Sequence, residues 1–301
     1  MISRQNSRML SVGVGQEENT MNIDYEKKQN LTSYRKIAIA SWRHPRDPST
    51  FAMLDLPVEE AMKFLKETPS DTPLTMTHFV AKILAHCLTK YSELNHVLRF
   101  GNLYKRKTAD IFITTLLKGK KGKDLSGFVI RDVDAKPISD IAAFSATRTL
   151  ELRNNNDEEN RRVQQIVNPV HSLILRPILL LQEFLQFTLN ISIPFLGMPK
   201  DRFGSAMITN IGALGFENAF IPLSPYSRCP LLVGVGKPRQ MPIVQNDKVV
   251  VADVITITFT FDHRHADGAH GSHVLRRFKK LFLDPFAFRS VFENARAQQS
   301  N

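Results

Sequence analysis

The side chains best suited to chemistry stand together at residues 262–268, in the order Asp-His-Arg-His-Ala-Asp-Gly. Histidine has an unperturbed pKa of about 6.5, so His263 can accept and return a proton near neutral pH. Asp267 would hold the turn through a charged hydrogen bond, and Gly268 would allow a tight path into a following helix. A lone histidine in a turn is more often structural than catalytic, so this spacing alone leaves both interpretations open.

The element that must position His263 is the segment just before it, residues 249–261. Large apolar side chains alternate there with threonines: Ile255, Ile257, Phe259 and Phe261 against Thr256, Thr258 and Thr260. This alternation predicts a half-buried β-strand. After the turn, apolar residues at helical spacing predict an amphipathic helix closed by Asp284 and Pro285.

Two further motifs precede this one in the chain. Residues 207–215 are Met-Ile-Thr-Asn-Ile-Gly-Ala-Leu-Gly, and residues 231–236 are Leu-Leu-Val-Gly-Val-Gly. With residues 262–269, these segments resemble, in order, the motifs of the catalytic domain of the dihydrolipoamide acyltransferases of 2-oxo acid dehydrogenase complexes. More distantly, the sequence is similar to chloramphenicol acetyltransferase. The resemblance covers roughly residues 31–290 and is most specific over residues 203–285.

The resemblance implies an α/β fold: a two-layer sandwich of a mixed β-sheet packed against helices, as in chloramphenicol acetyltransferase. Residues 31–290 would form the catalytic domain. The polar, aperiodic residues 1–30 are predicted to be a disordered arm, and residues 291–301 a flexible tail.

The same resemblance assigns roles to individual residues. His263 would be the general base toward the thiol of coenzyme A or dihydrolipoamide, and Thr209 would stabilise the oxyanion formed when the thiolate attacks an acyl thioester. Without the resemblance, Thr209 would be interpreted as a strand hydroxyl bonded locally. Asp267 would pair with an arginine near the start of the domain, for which Arg35 is the candidate. Arg264 and Gly268 would support the site structurally.

Coenzyme A would be a substrate, with no covalently bound cofactor. Asn210, beside Thr209, is a candidate for binding it, as are Lys120, Lys121 and Lys123 in the basic segment 118–123. The pattern of that segment favours a solvated hairpin tip; the alternative is a set of mobile point charges that attract the phosphates of coenzyme A.

The family forms trimers with the active site between subunits, so the resemblance implies a homotrimer or higher assembly. No Asp-Lys-Ala lipoyl-attachment motif occurs in the sequence. A free-standing acyltransferase that uses coenzyme A, or a lipoyl-bearing protein in trans, is therefore expected. The alternative is a catalytically inactive core that serves as an oligomeric scaffold.

The amino-acid composition excludes several other classes of protein. The chain has 301 residues, 43% of them hydrophobic, and a formal net charge of +11. This composition excludes a wholly disordered or polytopic membrane chain. Two cysteines exclude a disulfide framework or four-cysteine zinc site, and they suit a cytoplasmic location. A mitochondrial location is the alternative, because Arg4 and Arg8 precede the first acidic residue.

The basic charge is scattered, so nucleic-acid binding is not expected. The histidines after residue 262 suggest a metal site only weakly, since no carboxylate or cysteine cluster completes a shell. They are His263, His265, His270 and His273.

The apolar but interrupted segment 173–198 departs from the family pattern. Three interpretations are open: a helix buried against the domain or a partner subunit, an interfacial amphipathic helix, or a membrane span.

Elsewhere the pattern predicts strands at 52–58 and 127–133, a strand pair within 102–117 with its turn at 118–123, and helices over 59–66, 75–91 and from Ser139.

Overall fold

A computed structural model describes residues 23, 25–28, 30–33, 36, 39, 47–119, 122–154, 161, 170, 172–194 and 199–293. Its strands are β1 (Tyr25–Lys28), β2 (Ser49–Pro57), β3 (His96–Arg99), β4 (Asn102–Arg106), β5 (Ile111–Gly119), β6 (Gly122–Ile130), β7 (Ala206–Asn210), β8 (Leu231–Val235), β9 (Arg239–Gln245) and β10 (Lys248–Asp262). Its α-helices are α1 (Glu59–Glu67), α2 (Met76–Lys90), α3 (Ile138–Arg153), α4 (Ser172–Glu183), α5 (Gly268–Leu283) and α6 (Arg289–Glu293). A π-helical turn, Phe184–Thr188, continues α4.

The larger sheet has seven strands and is mixed. Its main path runs β2-β10-β8-β7-β5-β6, and β9 pairs with the first half of β10. The central strand β7 is parallel to both β5 and β8, while the other pairs are antiparallel. A smaller sheet has the order β1-β4-β3.

The main core lies between the larger sheet and a layer of helices. Helix α2 contributes a continuous buried stripe, and α5 packs its Phe278 edge-on against Phe259 of β10, with ring centroids 5.3 Å apart. Each such buried aromatic or aliphatic side chain contributes about 1.5–3 kcal/mol through removal from water. The predicted helices over 59–66, 75–91, from Ser139 and after residue 267 are confirmed.

Strand β10 differs from its prediction, because both of its faces are buried from Val254 onward. The apolar face packs against helices, as expected. The threonine face is covered as well: Thr256 bonds to Asp55 of β2, and Thr258 donates to the carbonyl of Ala219 at 2.7 Å. The prediction of a half-buried strand was wrong because a distant loop, which alternation cannot reveal, covers the second face.

The predicted strand pair within 102–117 is also wrong. Residues Asn102–Arg106 pair back with His96–Arg99 in the smaller sheet, whereas Ile111–Gly119 pairs with Gly122–Ile130 in the larger one. Phe100 and Gly101 both have positive φ, the requirement of a two-residue hairpin turn, so the chain reverses there. The predicted turn at 118–123 does close a hairpin, but between β5 and β6.

Part of the predicted N-terminal arm is ordered against segment 173–198. Residues Tyr25–Lys28 form β1, which pairs with β4. Just before it, Ile23 is 1% exposed, and its backbone N–H and C=O both bond to the side-chain amide of Asn190. The prediction of disorder is therefore wrong for these residues, whose backbone groups find partners in distant segments.

Helix α4 lies in the atypical apolar segment. In the part of the chain described, no helix is long and apolar enough to cross a membrane. Phe187 and Gln186 are buried, but Ile174, Leu181 and Phe184 are about half exposed. The chain therefore buries only one side of this segment and leaves the other side exposed.

Candidate active site

His263 lies immediately after β10, at an end of the larger sheet. Its backbone N–H donates to the carbonyl of Pro48 at 2.9 Å, and Asp262 is the last residue of β10 that pairs with β2, opposite Ser49. The side chain is partly exposed. A rigid backbone and a partly exposed imidazole are what a general base requires.

The residues on either side of His263 form a closed ion pair. The Arg264 guanidinium donates from Nε and Nη2 to the Asp262 carboxylate, with the shortest N–O distance 2.6 Å. Burial alone would raise the pKa of Asp262, but the hydrogen bonds and charge of Arg264 hold it below its usual value. Arg264 therefore braces the turn around His263 through this ion pair.

His265 stands where the family usually has an aliphatic residue, and it is buried, with 5% of its surface exposed. Burial lowers its pKa to about 3, so the imidazole is neutral at physiological pH. With so low a pKa and so little exposure, His265 is a weak base that an acceptor thiol does not reach, so it does not provide a second base beside His263.

Asp267 is the N-cap of α5. Its carboxylate accepts from the backbone N–H of His270 at 3.1 Å and contacts Nδ1 of the same histidine at 2.6 Å. The carboxylate thus anchors the first turn of α5, with His270 as one of its partners. The expected partner, Arg35, lies outside the described residues.

Gly268 does not need to be glycine for the reason predicted. It is the first residue of α5, its φ is not positive, and a Cβ added there would have no neighbour within 4 Å. The path into the helix is an ordinary N-cap, which most residues could follow.

Thr209 lies on β7 with its side chain on the sheet face opposite the helices. It pairs in register with Thr114 of β5, and the two hydroxyl oxygens are 3.1 Å apart. Thr114 is a partner that sequence reasoning missed, since only the parallel pairing of β5 with β7 brings the two together.

Within one chain, Thr209 and His263 are too far apart to act on the same thioester. Thr209 pairs with Gly234 of β8, and Gly234 pairs with Thr258 of β10. His263 follows Thr258 by five residues. With about 3.3 Å per residue along a strand and about 4.8 Å between strands, the two backbones are about 19 Å apart. A site that uses both side chains must combine two copies of the chain.

The described candidates for binding coenzyme A lie nearer to Thr209 than to His263 along the larger sheet. The Asn210 amide accepts from the backbone N–H of Ala213 at 3.0 Å and donates to Thr77 at 3.4 Å, so it shapes the turn after β7. Lys123 is on β6, close to the hairpin tip, while Lys120 and Lys121 lie outside the described residues. Strand direction puts this hairpin at the sheet end opposite His263.

Other reactive groups do not form a competing centre. Among the residues with described positions, no three His, Cys, Asp or Glu side chains are grouped as a metal site requires. Burial raises the pKa of Cys87 and of Cys229 to about 12, so neither thiol is an available nucleophile.

Comparison with known proteins finds a family match over the part of the chain that contains the site. Residues 200–288 match the family model of the 2-oxoacid dehydrogenases acyltransferase catalytic domain. This range contains Thr209, strand β8 with the Gly-Val-Gly segment at its end, and the whole turn around His263. The resemblance inferred from the three motifs is therefore confirmed.

Particular relatives agree over the same part of the chain. The dihydrolipoyllysine-residue acetyltransferase component of the pyruvate dehydrogenase complex of Rickettsia felis is 37% identical over 82 residues, which are 27% of this chain and 19% of the relative. The corresponding component of Staphylococcus aureus is 36% identical over 78 residues, 26% of this chain and 18% of the relative. The chain thus spans about one fifth of the length of the curated relatives it matches.

Solved structures are similar to this chain over most of its length, and this similarity is one of fold only. A probable dihydrolipoamide acetyltransferase from Listeria monocytogenes has a TM-score of 0.58 at 15% identity, covering 85% of this chain and 94% of that one. The cubic core of the pyruvate dehydrogenase multienzyme complex has a TM-score of 0.60 at 17% identity, covering 88% and 94%. The predicted fold class, a mixed sheet packed against helices, is confirmed.

Proposed function

We propose that this chain is a thioester-dependent acyltransferase, with His263 as the general base. The observation that carries the proposal is the partly exposed His263 at the end of β10, inside the segment that matches the acyltransferase family. His263 takes the proton of an acceptor thiol. The thiolate attacks the carbonyl carbon of an acyl thioester, and the tetrahedral oxyanion collapses to expel the donor sulfur, which regains the proton from His263.

Thr209 is proposed to stabilise the oxyanion through its hydroxyl, with the two residues contributed by different copies of the chain. The separation of about 19 Å within one chain supports this arrangement. So do the related structures, of which one is described as the core of a multienzyme complex. Coenzyme A is the proposed carrier of one thiol, with dihydrolipoamide, free or on another protein, as the other.

In the dihydrolipoamide acetyltransferase of Azotobacter vinelandii, the residues investigated for roles in the catalytic mechanism are a serine, a histidine and an asparagine, the last two four residues apart. In this chain His263 and Asp267 have the same spacing. We interpret Asp267 as a positioning residue, since its carboxylate caps α5 and contacts His270.

The test is acyl transfer from acetyl-coenzyme A to dihydrolipoamide by the purified chain. Removing a general base costs about 10²–10⁴-fold, so His263→Ala should lower kcat by about 10³-fold with an unchanged circular dichroism spectrum. His273→Ala, at an exposed position on α5, is the matched control and should retain the rate. An active His263→Ala variant would reject the assignment. Oligomers whose melting temperature coenzyme A does not raise, and which show no turnover, would favour the inactive scaffold.

A further inference from the structure

A cavity of about 950 Å³ lies beside the turn that carries His263, on the side of Asp262 and Arg264. Its other walls are α4 with the following π-turn, the β3–β4 turn, and the loop at residues 223–229. Four residues that precede β2 complete the lining, and the charges of two of them offset each other: Lys36, Ile39, Asp47 and Pro48. Small-molecule sites typically enclose about 300–1,000 Å³, so this cavity is at the upper end of that range. An acetyl group would occupy only a small part of it.

The cavity wall is largely apolar. Leu175 and Leu179 are one helical turn apart and present the same side of α4, while Leu98, Phe187 and Leu223 approach from three other segments. Phe187 is buried, and the four leucines are half-buried, so the wall is preformed in the chain. A wall of this kind suits a flexible aliphatic chain, which needs contact area and no directed hydrogen bonds.

Positive charge exceeds negative charge around the apolar wall. Arg228 is paired with Glu183, and Arg264 with Asp262, so these two ion pairs are neutral overall. Arg99 also borders the cavity, and it donates to the Thr188 carbonyl at 3.0 Å and to the Tyr25 hydroxyl. Both of these acceptors are uncharged, so the positive charge of Arg99 is not balanced there.

Arg176 adds a second positive charge. It is an exposed residue of α4 that lines the cavity between Leu175 and Leu179. Together with Arg99, it makes the rim of the apolar space attractive to an anionic group.

We propose that this cavity binds a linear aliphatic chain joined to an anionic group, which is the carboxylate in a fatty acid and the phosphates of coenzyme A in a fatty acyl thioester. The chain lies along Leu175, Leu179 and Phe187, and its anionic end is attracted by Arg99 and Arg176. Because Asp262 and Arg264 flank His263, the inference gives the proposed acyltransferase a long-chain acyl group as substrate. Only this last step rests on the proposed function; the binding itself does not.

The binding test uses 11-(dansylamino)undecanoic acid, whose fluorescence rises in an apolar site, titrated into the full chain. Saturable binding is expected. Leu179→Trp places a bulky indole on the apolar wall where the chain is proposed to lie and should weaken binding about tenfold. Leu181→Trp is the matched control: it lies on the same helix, is 59% exposed and does not line the cavity, so binding should be unchanged. Absence of saturable binding, or equal losses in both variants, would overturn the proposal.

The anionic end is tested separately, with a variant that is not expected to disturb folding. Arg176 is exposed, so Arg176→Gln should leave the melting temperature unchanged. It should weaken the carboxylate probe several-fold and leave the uncharged methyl ester of the same probe unaffected. Equal effects on the acid and the ester would overturn the assigned polarity.

Displacement of the probe distinguishes the two sources of the chain. Butanoic, octanoic and dodecanoic acids are compared with their coenzyme A thioesters. Each additional buried methylene group should tighten binding by up to about fourfold. Displacement by the free acids alone would assign the site to fatty acids; displacement by the thioesters would assign it to the acyl donor. Affinities independent of chain length would reject the apolar wall as the binding surface.

Transfer assays with the same thioesters separate this inference from the proposed function. A kcat/KM that rises from the acetyl to the dodecanoyl thioester, and falls in Leu179→Trp, supports both. Chain binding without any transfer supports the cavity assignment and contradicts the acyltransferase. Transfer of acetyl groups without binding of the aliphatic chain supports the acyltransferase and contradicts the cavity assignment.

Discussion

The hydroxyl of Thr209 lies 3.1 Å from the hydroxyl of Thr114, its in-register neighbour on the parallel strand β5. The pair is on the sheet face that points away from the helices. A hydroxyl can rotate about its C–O bond, so Thr209 can exchange this local partner for an oxyanion without moving the strand. The pair also provides a matched comparison, because each threonine can be replaced by the nearly isosteric valine.

Replacing Thr209 with valine is expected to lower kcat for acyl transfer by about 10²–10³-fold, the usual cost of one oxyanion donor. KM should change little, because the lost bond forms in the transition state. Thr114→Val removes the partner hydroxyl and should leave kcat within about threefold. Steady-state kinetics of both variants make the comparison; similar losses in both would mean that the hydroxyl pair matters structurally and that Thr209 has no separate role.

Mixing two inactive variants tests whether the site combines residues from two chains. His263→Ala retains Thr209, and Thr209→Val retains His263. If subunits of both kinds are denatured together in equal amounts and refolded, about a quarter of the sites in a cyclic assembly should contain both intact residues.

Activity should therefore return to about a quarter of the wild-type value. The control is the same mixture combined without denaturation, in which intact assemblies of each variant should stay inactive. No recovery, from assemblies shown to be mixed, would contradict a shared site.

The buried His265 should make the protein less stable in mild acid. Its pKa is about 3 in the folded chain and about 6.5 when exposed, so between these values the unfolded chain binds the extra proton. The stability is fully present above pH 6.5 and is lost as the pH falls toward 3. From pH 6.5 to 4 the expected loss in unfolding free energy is about 3 kcal/mol.

Denaturant unfolding at several pH values measures this loss. His78, whose pKa burial lowers to about 4, adds a further loss in the same direction. His265→Leu should remove the part of the pH dependence of the unfolding free energy that His265 causes. His273→Leu, at an exposed position, should leave that pH dependence as in the wild type. An equally steep curve in His265→Leu would show that the folded chain protonates His265 as readily as the unfolded chain does, which contradicts the low pKa.

The local pattern predicted those parts of the fold in which one element shows its own periodicity. Helix α5 was predicted because Val274, Phe278 and Phe282 repeat at helical spacing, and β10 because its apolar residues alternate. The second covered face of β10 could not be predicted, since Ala219, which accepts from Thr258, is distant in sequence. Periodicity reports which residues avoid water on one element but not what covers its other side.

The candidate site was predictable to the same extent. His263 and Thr209 were found because their motifs resemble a known family, and both lie on the confirmed fold. Their separation within one chain follows from strand register, which the sequence does not reveal. The cavity beside the turn was missed for a related reason: Leu98, Leu179 and Leu223 belong to segments that only the tertiary structure brings together.

Gly236 and Gly268 make a matched pair for testing the loop that covers the sheet. A Cβ at Gly236 would come within 2.0 Å of the Glu217 carbonyl and 2.9 Å of the Thr256 carbonyl, so backbone blocks it on both sides. Gly236→Ala should therefore lower the unfolding free energy by about 3 kcal/mol. A Cβ at Gly268 meets nothing within 4 Å, and alanine there should be neutral or stabilise α5 by up to about 1 kcal/mol. Urea unfolding measures the stability of both variants. Wild-type stability in Gly236→Ala would mean that the loop at Glu217 does not pack against the sheet.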